Sequence, residues 1–294
     1  PSNFCNGNTI DNEENLISCS HGGRCIYKTN DNLDVQILVD HYNGKKLNSP
    51  NDLFVKSDGT IWFTDPPYGI LSDYEGYPGE QEYGGCYVFS FDPNSNKLEV
   101  IIDDLDRPNG IAISPDEQKL YVADTGENIK HLYVYDMIEG YPKNRKLIYD
   151  FKPFFSDGFR CDKDGNIWTS AGKAIKCFNP KNNALDVVCK NLDRPNGIAF
   201  SIDEKKIYIA DSAENIRSLY VFDIYDNKLV NQKLVYDFKP FFSDGFRCDI
   251  DGNIWTSAGK GVKCFNPNNE LIGQILVPEL VSNLEFGGKE GNIL

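Results

Sequence analysis

Histidine is scarce in this chain, with three in 294 residues, and none stands in a recognisable serine or cysteine nucleophile setting. A covalent triad is therefore poorly supported. Basic residues are also few: 30 Lys and Arg against 44 Asp and Glu leave a formal charge of −14, with no Lys/Arg cluster to neutralise a phosphate backbone. Nucleic acid and anionic membrane are thus excluded as expected partners. No apolar run approaches the roughly 20 residues of a transmembrane helix, and the opening PSNFCNGNTIDNEENL has neither the basic nor the apolar region of a signal peptide. Asn-x-Ser/Thr acceptors are missing as well. The nine cysteines show no zinc-type spacing and no disulfide-scaffold density. Reduced, mostly buried thiols and a cytoplasmic protein, monomeric or weakly oligomeric, are the expectation. Sustained helical periodicity is lacking too, which leaves strands.

What the chain has in abundance is repetition. DFKPFFSDGFRCDKDGNIWTSAGKAIKCFNP (150–180) recurs as DFKPFFSDGFRCDIDGNIWTSAGKGVKCFNP (237–267), differing only at Lys163/Ile250, Ala174/Gly261 and Ile175/Val262. LDRPNGIAISPDEQKLYVADTGENIKHLYVYD (105–136) recurs at 192–223 with the same offset of 87 residues. The repeating unit thus spans about 105–191 and again 192–278, within what reads as one domain over 1–294. Each unit divides again, because RPNGIAISPDEQKLYVAD and SDGFRCDKDGNIWTSAG share a shape: an Asn/Asp-Gly turn, a short strand, a polar hairpin and a second strand. The same phrase occurs at SPNDLFVKSDGTIWFTD, more faintly at CNGNTIDNEENLISCS, and once more at SNLEFGGKEGNIL.

The leading residues Asn6, Asn51, Asn109, Asp157, Asn196, Asp244 and Asn283 recur at spacings of 39 to 58 residues. Units of that length with about four short strands are propeller blades. Six phrases are followed by enough chain for a blade. The expected fold is an all-β six-bladed β-propeller whose last residues meet the first few; an incomplete seven-bladed ring is the alternative.

Blade-leading residues line a propeller's central channel, so Asn6, Asn51, Asn109, Asp157, Asn196 and Asp244 would form a ring of amide and carboxylate oxygens. Such a set suits a hard cation, Ca²⁺ first and Mg²⁺ or Mn²⁺ after it. Asn-Gly and Asp-Gly are equally turn dipeptides, and the pattern leaves both readings open. The hairpin aspartates Asp58, Asp164 and Asp251 belong to turns. Asp65, Asp124 and Asp211, which end second strands in FTD, VAD and IAD, either cap a turn or face the site.

The phrases LNSPNDLFVKSDGTIWFTDPPYGI, RPNGIAISPDEQKLYVADT, SDGFRCDKDGNIW and SNLEFGG, in that order, resemble the gluconolactonase/senescence-marker-protein (regucalcin-like) family of six-bladed propeller hydrolases. The resemblance covers nearly the whole chain. It implies hydrolysis of a sugar lactone with a divalent cation held by a Glu of the first blade, the Asn of RPNG and the Asp of DGFR. By motif those two are Asn109 and Asp157. Asp157 is then also the catalytic residue that activates water, Asn51 of SPND holds substrate, and Asn196 and Asp244 are second-copy candidates. His21 in SCSHGGR matches a family CEHGG phrase, with Ser20 in place of Glu, and is a further substrate-binding candidate.

Against the family pattern the chain starts where the second blade starts, without the metal-binding Glu, and carries the extra two-blade unit. If the blades close, the repeated fifth blade takes the vacated position and brings Asp244 to where the family has its Glu. The expected metal set is Asn109, Asp157 and Asp244. A rearranged propeller that only binds ligands, or an organophosphate hydrolase-like activity, are the alternative functions.

Overall fold

The computed structural model describes residues 3–154, 156, 159–278, 281, 283–288, 291 and 293–294. These form six four-stranded antiparallel sheets, each a simple meander in chain order. The fold class is that of the six-bladed β-propeller; the one further sheet among the described residues is the two-stranded ribbon of His41–Tyr42 and Lys45–Lys46, which is not a blade. The only helix among them is one turn, Tyr68–Leu71, so no helix is long and apolar enough to cross a membrane.

The chain divides into two compact units, Pro1–Lys152 with Glu285–Leu294, and Pro153–Leu284. In the first unit the blades begin at inner strands Cys5–Ile10, Leu53–Val55 and Pro108–Ile113. In the second they begin at Phe159–Cys161, Pro195–Phe200 and Phe246–Cys248. Within the first unit, Gly288 N donates to the Glu14 carbonyl at 2.8 Å, tying the last residues to the first blade.

Second strands such as Ile61–Asp65 and Ile167–Ala171 are buried at every position, whereas the outermost Leu271–Leu276 is exposed at every position. A second strand is covered on both faces by neighbouring blades, so apolar residues run on without alternation. In the first unit one core joins Ile17 and Ile26 to Phe63 and Phe89, and another joins Trp62 and Val88 to Leu120 and Val122. The second unit repeats the scheme with Trp168 and Ile175 against Ile207 and Ile209, then Tyr208 and Leu219 against Phe246 and Phe265. All nine cysteines are free, five of them buried. Burial pushes the Cys25 and Cys86 thiols up to about 11.

The hairpins are as expected: Gly59, Gly165 and Gly252, after Asp58, Asp164 and Asp251, adopt φ of +86°, +85° and +81°. The phrase-leading Asn-Gly pairs are not turns. Asn6, Asn109 and Asn196 lie inside strands, and neither they nor the glycines after them have positive φ. Each pair forms a bulge instead: Asn6–Gly7 opposes the single residue Cys19, Asn109–Gly110 opposes Ala123, and Asn196–Gly197 opposes Ala210. A bulge bends the strand and re-aims its side chains.

The glycine serves the neighbouring strand. A Cβ at Gly7 would lie 2.6 Å from the Asn51 carbonyl oxygen, and one at Gly197 would lie 2.0 Å from that of Asp244. Gly245 is similarly closed off by the Asn283 side chain, at 2.2 Å. In each case the inner strand of the next blade, or the phrase that follows it, occupies the space a side chain would need.

Candidate functional site

Four predicted site residues, Asn6, His21, Asn51 and Asn109, lie in the first unit, and Asn196 and Asp244 lie in the second. Asp157 lies outside the described residues.

Three aspartates place the inner strands. Asp65, Asp124 and Asp211 are essentially inaccessible to solvent. Asp124 accepts the backbone N–H groups of Asp106 and Arg107 at 3.0 and 2.8 Å, and Asp211 accepts those of Asp193 and Arg194 at 2.8 Å each. Asp65 accepts from Asn48 N and Ser49 N at 2.8 Å each and from the Tyr83 hydroxyl. Of the two roles the sequence left open for these aspartates, holding backbone is the one found. Each fixes the segment that enters the inner strand of its own blade, a few residues before Asn51, Asn109 or Asn196. Burial pushes the Asp65 carboxyl up to about 7, against the pull of its three donors.

Asn109 is held from two sides. Its backbone carbonyl accepts from Thr64 Oγ1 at 2.6 Å, and its Nδ2 donates to Thr125 Oγ1 at 3.3 Å. Thr125 Oγ1 is itself 2.5 Å from the Tyr68 hydroxyl, which also donates to the Thr125 carbonyl at 3.2 Å. Asp52 stitches the same strands, its Oδ2 accepting from Ile111 N at 3.0 Å. Tyr68 and Thr125 were missed by sequence reasoning. The DPPYG phrase that contains Tyr68 was the available signal.

His21 is buried, with 1% of its surface exposed, and both ring nitrogens are engaged. Nδ1 lies 3.1 Å from the Glu75 carbonyl oxygen, while Nε2 lies 3.1 Å from Asn6 Nδ2 and 3.4 Å from Asn51 Nδ2. Desolvation lowers the imidazole pKa to about 4, with the bond to the Glu75 backbone opposing, so the ring is neutral at pH 7. The buried ring reaches the two asparagines rather than open space. Covering it is the segment 66–77, held by Gly69 N to Ser49 Oγ at 2.9 Å and Tyr77 N to Gly69 O at 3.0 Å. A Cβ at Gly69 would come within 2.5 Å of His21 Cβ, so only glycine allows this cover to close.

In the second unit Asp244 N donates to Ser257 Oγ at 2.8 Å, and the half-buried Asn196 side chain has no hydrogen-bond partner among the described residues. A cleft of about 450 Å³ in the first unit lies elsewhere, among turn residues including Ser57, Glu117 and Glu139, and holds no predicted site residue.

The donor chemistry suits a hard cation. With Nδ2 of Asn109 committed to Thr125 and Nδ2 of Asn51 to His21, the oxygen each amide has left for a ligand is Oδ1. Among the described residues no three His, Cys, Asp or Glu side chains cluster as a metal centre.

Comparison with known proteins gives these features a context. The family model for the SMP-30/Gluconolactonase/LRE-like region matches residues 1–189 and again 173–294, the second match falling largely on the repeated unit. A gluconolactonase of Zymomonas mobilis is 34% identical over 223 residues, which is 72% of this chain and 62% of the relative. The lactonohydrolase oryL of Aspergillus oryzae is 26% identical over 257 residues, covering 87% of this chain and 43% of its own. The chain therefore spans less than two thirds of the length of these curated relatives. Among solved structures, a gluconolactonase from Xanthomonas campestris superposes with a TM-score of 0.65 at 34% identity, covering 70% of this chain and 69% of that one. With the model matching from end to end and the bulged Asn-Gly strands in place, the chain belongs to the SMP-30/gluconolactonase/LRE-like family.

Proposed function

We propose that the protein hydrolyses a cyclic ester, with a sugar lactone as the first candidate substrate and a divalent cation, Ca²⁺ before Mg²⁺ or Mn²⁺, as cofactor. The observation that carries this reading is the fixed amide of Asn109, whose nitrogen is committed to Thr125 and whose oxygen is thereby left for a ligand. Relatives named gluconolactonase and lactonohydrolase support the reaction class. Asp157 and Asp244 enter as carboxylate ligands through their motifs alone.

Asn109 Oδ1 would help hold the cation, which would supply Lewis-acid polarisation of the lactone carbonyl. The chain's own residues orient and exchange protons. Asn51 Oδ1 accepts a hydrogen bond from a substrate hydroxyl, and Asn109 is preorganised by Thr125, so little amide motion accompanies the reaction. Asp157 takes a proton from the attacking water, the ring C–O bond breaks, and the alkoxide is protonated to give the open hydroxy acid.

The test is hydrolysis of glucono-δ-lactone followed by pH-stat, with Ca²⁺, Mg²⁺ and Mn²⁺ added in turn and then with chelator. A metal-dependent rate that the chelator abolishes is expected. No rate above buffer sinks the enzyme reading and leaves a ligand-binding propeller, and a phosphotriester run in parallel tests the organophosphate alternative.

A further inference from the structure

We propose that His21 is a positioning residue: its Nε2 holds the amide nitrogens of Asn6 and Asn51 and so fixes which way the Asn51 amide faces substrate. This rests on the lactone-hydrolase reading for its functional consequence, and on hydrogen-bond logic for its structural one.

A side-chain amide has nearly the same shape in its two flipped orientations, so only its partners decide which end is oxygen. Here the decision can be traced back to a group that cannot reverse. The Glu75 backbone carbonyl only accepts, so the His21 nitrogen facing it at 3.1 Å, Nδ1, carries the hydrogen. In a neutral ring Nε2 is then bare and accepts only, and both amides must turn Nδ2 toward it, at 3.1 and 3.4 Å. Direction thus passes from carbonyl to imidazole to two amides on two blades of the first unit.

The source of that direction is held as firmly as its end. Gly69 packs on His21, and a Cβ at Gly76 would lie 1.9 Å from the Gly69 carbonyl oxygen, which fixes the segment on either side of Glu75. His21 N also donates to the Phe4 carbonyl at 2.9 Å, locking the ring's own backbone. The Glu75 carboxylate stands 3.7 Å from Nδ1, on the same side as the carbonyl, and favours the same Nδ1–H tautomer. Burial of the ring keeps it neutral, which the bare Nε2 requires.

Two substitutions separate orientation from bulk. His21→Leu removes the acceptor, whereas His21→Gln returns an oxygen near the Nε2 position. In ¹⁵N-resolved NMR, the side-chain NH₂ signals of Asn6 and Asn51, assigned by their loss in Asn6→Ala and Asn51→Ala, are expected to move in His21→Leu and stay near wild type in His21→Gln. In lactone hydrolysis, His21→Leu is expected to raise KM about tenfold with kcat within about threefold, and His21→Gln to recover most of the loss. In an Asn51→Ala background, His21→Leu should add nothing further. Unmoved NH₂ signals, or a KM penalty that is the same with and without Asn51, overturn the proposal. If the wild type hydrolyses no lactone, the functional reading falls separately, and the NH₂ signals alone decide the orienting role of His21.

Discussion

Asn109 and Asn196 occupy the same phrase, the same bulge and the same position ahead of a buried aspartate, yet among the described residues only the Asn109 amide is clamped. Asp124 and Asp211 bind their entering segments through equivalent pairs of N–H groups. The difference arises next door. Thr125 accepts the Asn109 amide, whereas its counterpart Ser212 turns its hydroxyl to the Arg194 carbonyl at 3.2 Å. The blade before Asn109 carries a long connection, residues 66–85, which delivers Tyr68 to Thr125. The blade before Asn196 joins the corresponding strands through residues 172–173 alone. A copied phrase therefore reproduces its scaffold faithfully, but its preorganisation depends on the blade it was copied beside.

The largest effect should come from the leading amides themselves. Asn109→Ala is expected to lower kcat/KM for lactone by roughly 10² to 10³, the scale of removing one preorganised electrostatic group, while Asn196→Ala stays within about threefold. Equal losses from the two would break the comparison.

The scaffold should behave in the opposite way, identically in both copies. Asp124→Ala and Asp211→Ala each strand two backbone donors, at about 1–3 kcal/mol per buried donor. Each should lower stability by about 4 kcal/mol in urea titration, and a clear inequality would show that the two aspartates are not equivalent supports.

A third contrast is in pH. All three histidines lie in the first unit, and His21 has a folded pKa of about 4 against an ordinary 6.5. A depressed pKa means that the unfolded chain binds the proton first on acidification. The stabilisation from neutral His21 is thus complete above pH 6.5 and lost as pH falls through 4, up to about 3 kcal/mol. Urea midpoints at pH 7 and 4.5 should fall further for wild type than for His21→Gln. Parallel lines for the two proteins would contradict a buried neutral ring.

The smallest effect is expected at the clamp. Thr125→Val leaves the Asn109 amide unheld and should cost about tenfold in kcat/KM, an amount on the scale of one hydrogen bond. Ser212→Ala should be neutral in the same assay.

These contrasts also show what a sequence can carry. The hairpins at Asp58, Asp164 and Asp251 were readable because a following glycine with positive φ is a local requirement. The blade count was readable because the repeat survives as near-identical text. Asn6, Asn109 and Asn196 were ambiguous because the same dipeptide serves a turn and a bulge, and the deciding fact is a strand some 40 residues away in sequence. Asp65, Asp124 and Asp211 were ambiguous for the same reason, since their partners lie 16 to 18 residues back. The burial of His21 under residues 66–77 had no periodic signature, because an irregular segment takes its path from single contacts such as Gly69 on His21.

The missing side chain at Gly7, Gly197 and Gly245 has a consequence for how such a chain can grow. At Gly7 and Gly197 the joint between successive blades is made by main chain closing on main chain, and at Gly245 by the side chain of the next phrase. Because the main-chain joints ask nothing of the partner's side chain, Gly7 meets an Asn and Gly197 an Asp with equal ease. Blades built this way are interchangeable parts with a common coupling. An 87-residue pair can be copied in whole, with the surroundings of its leading amide free to differ between copies, as Thr125 and Ser212 do.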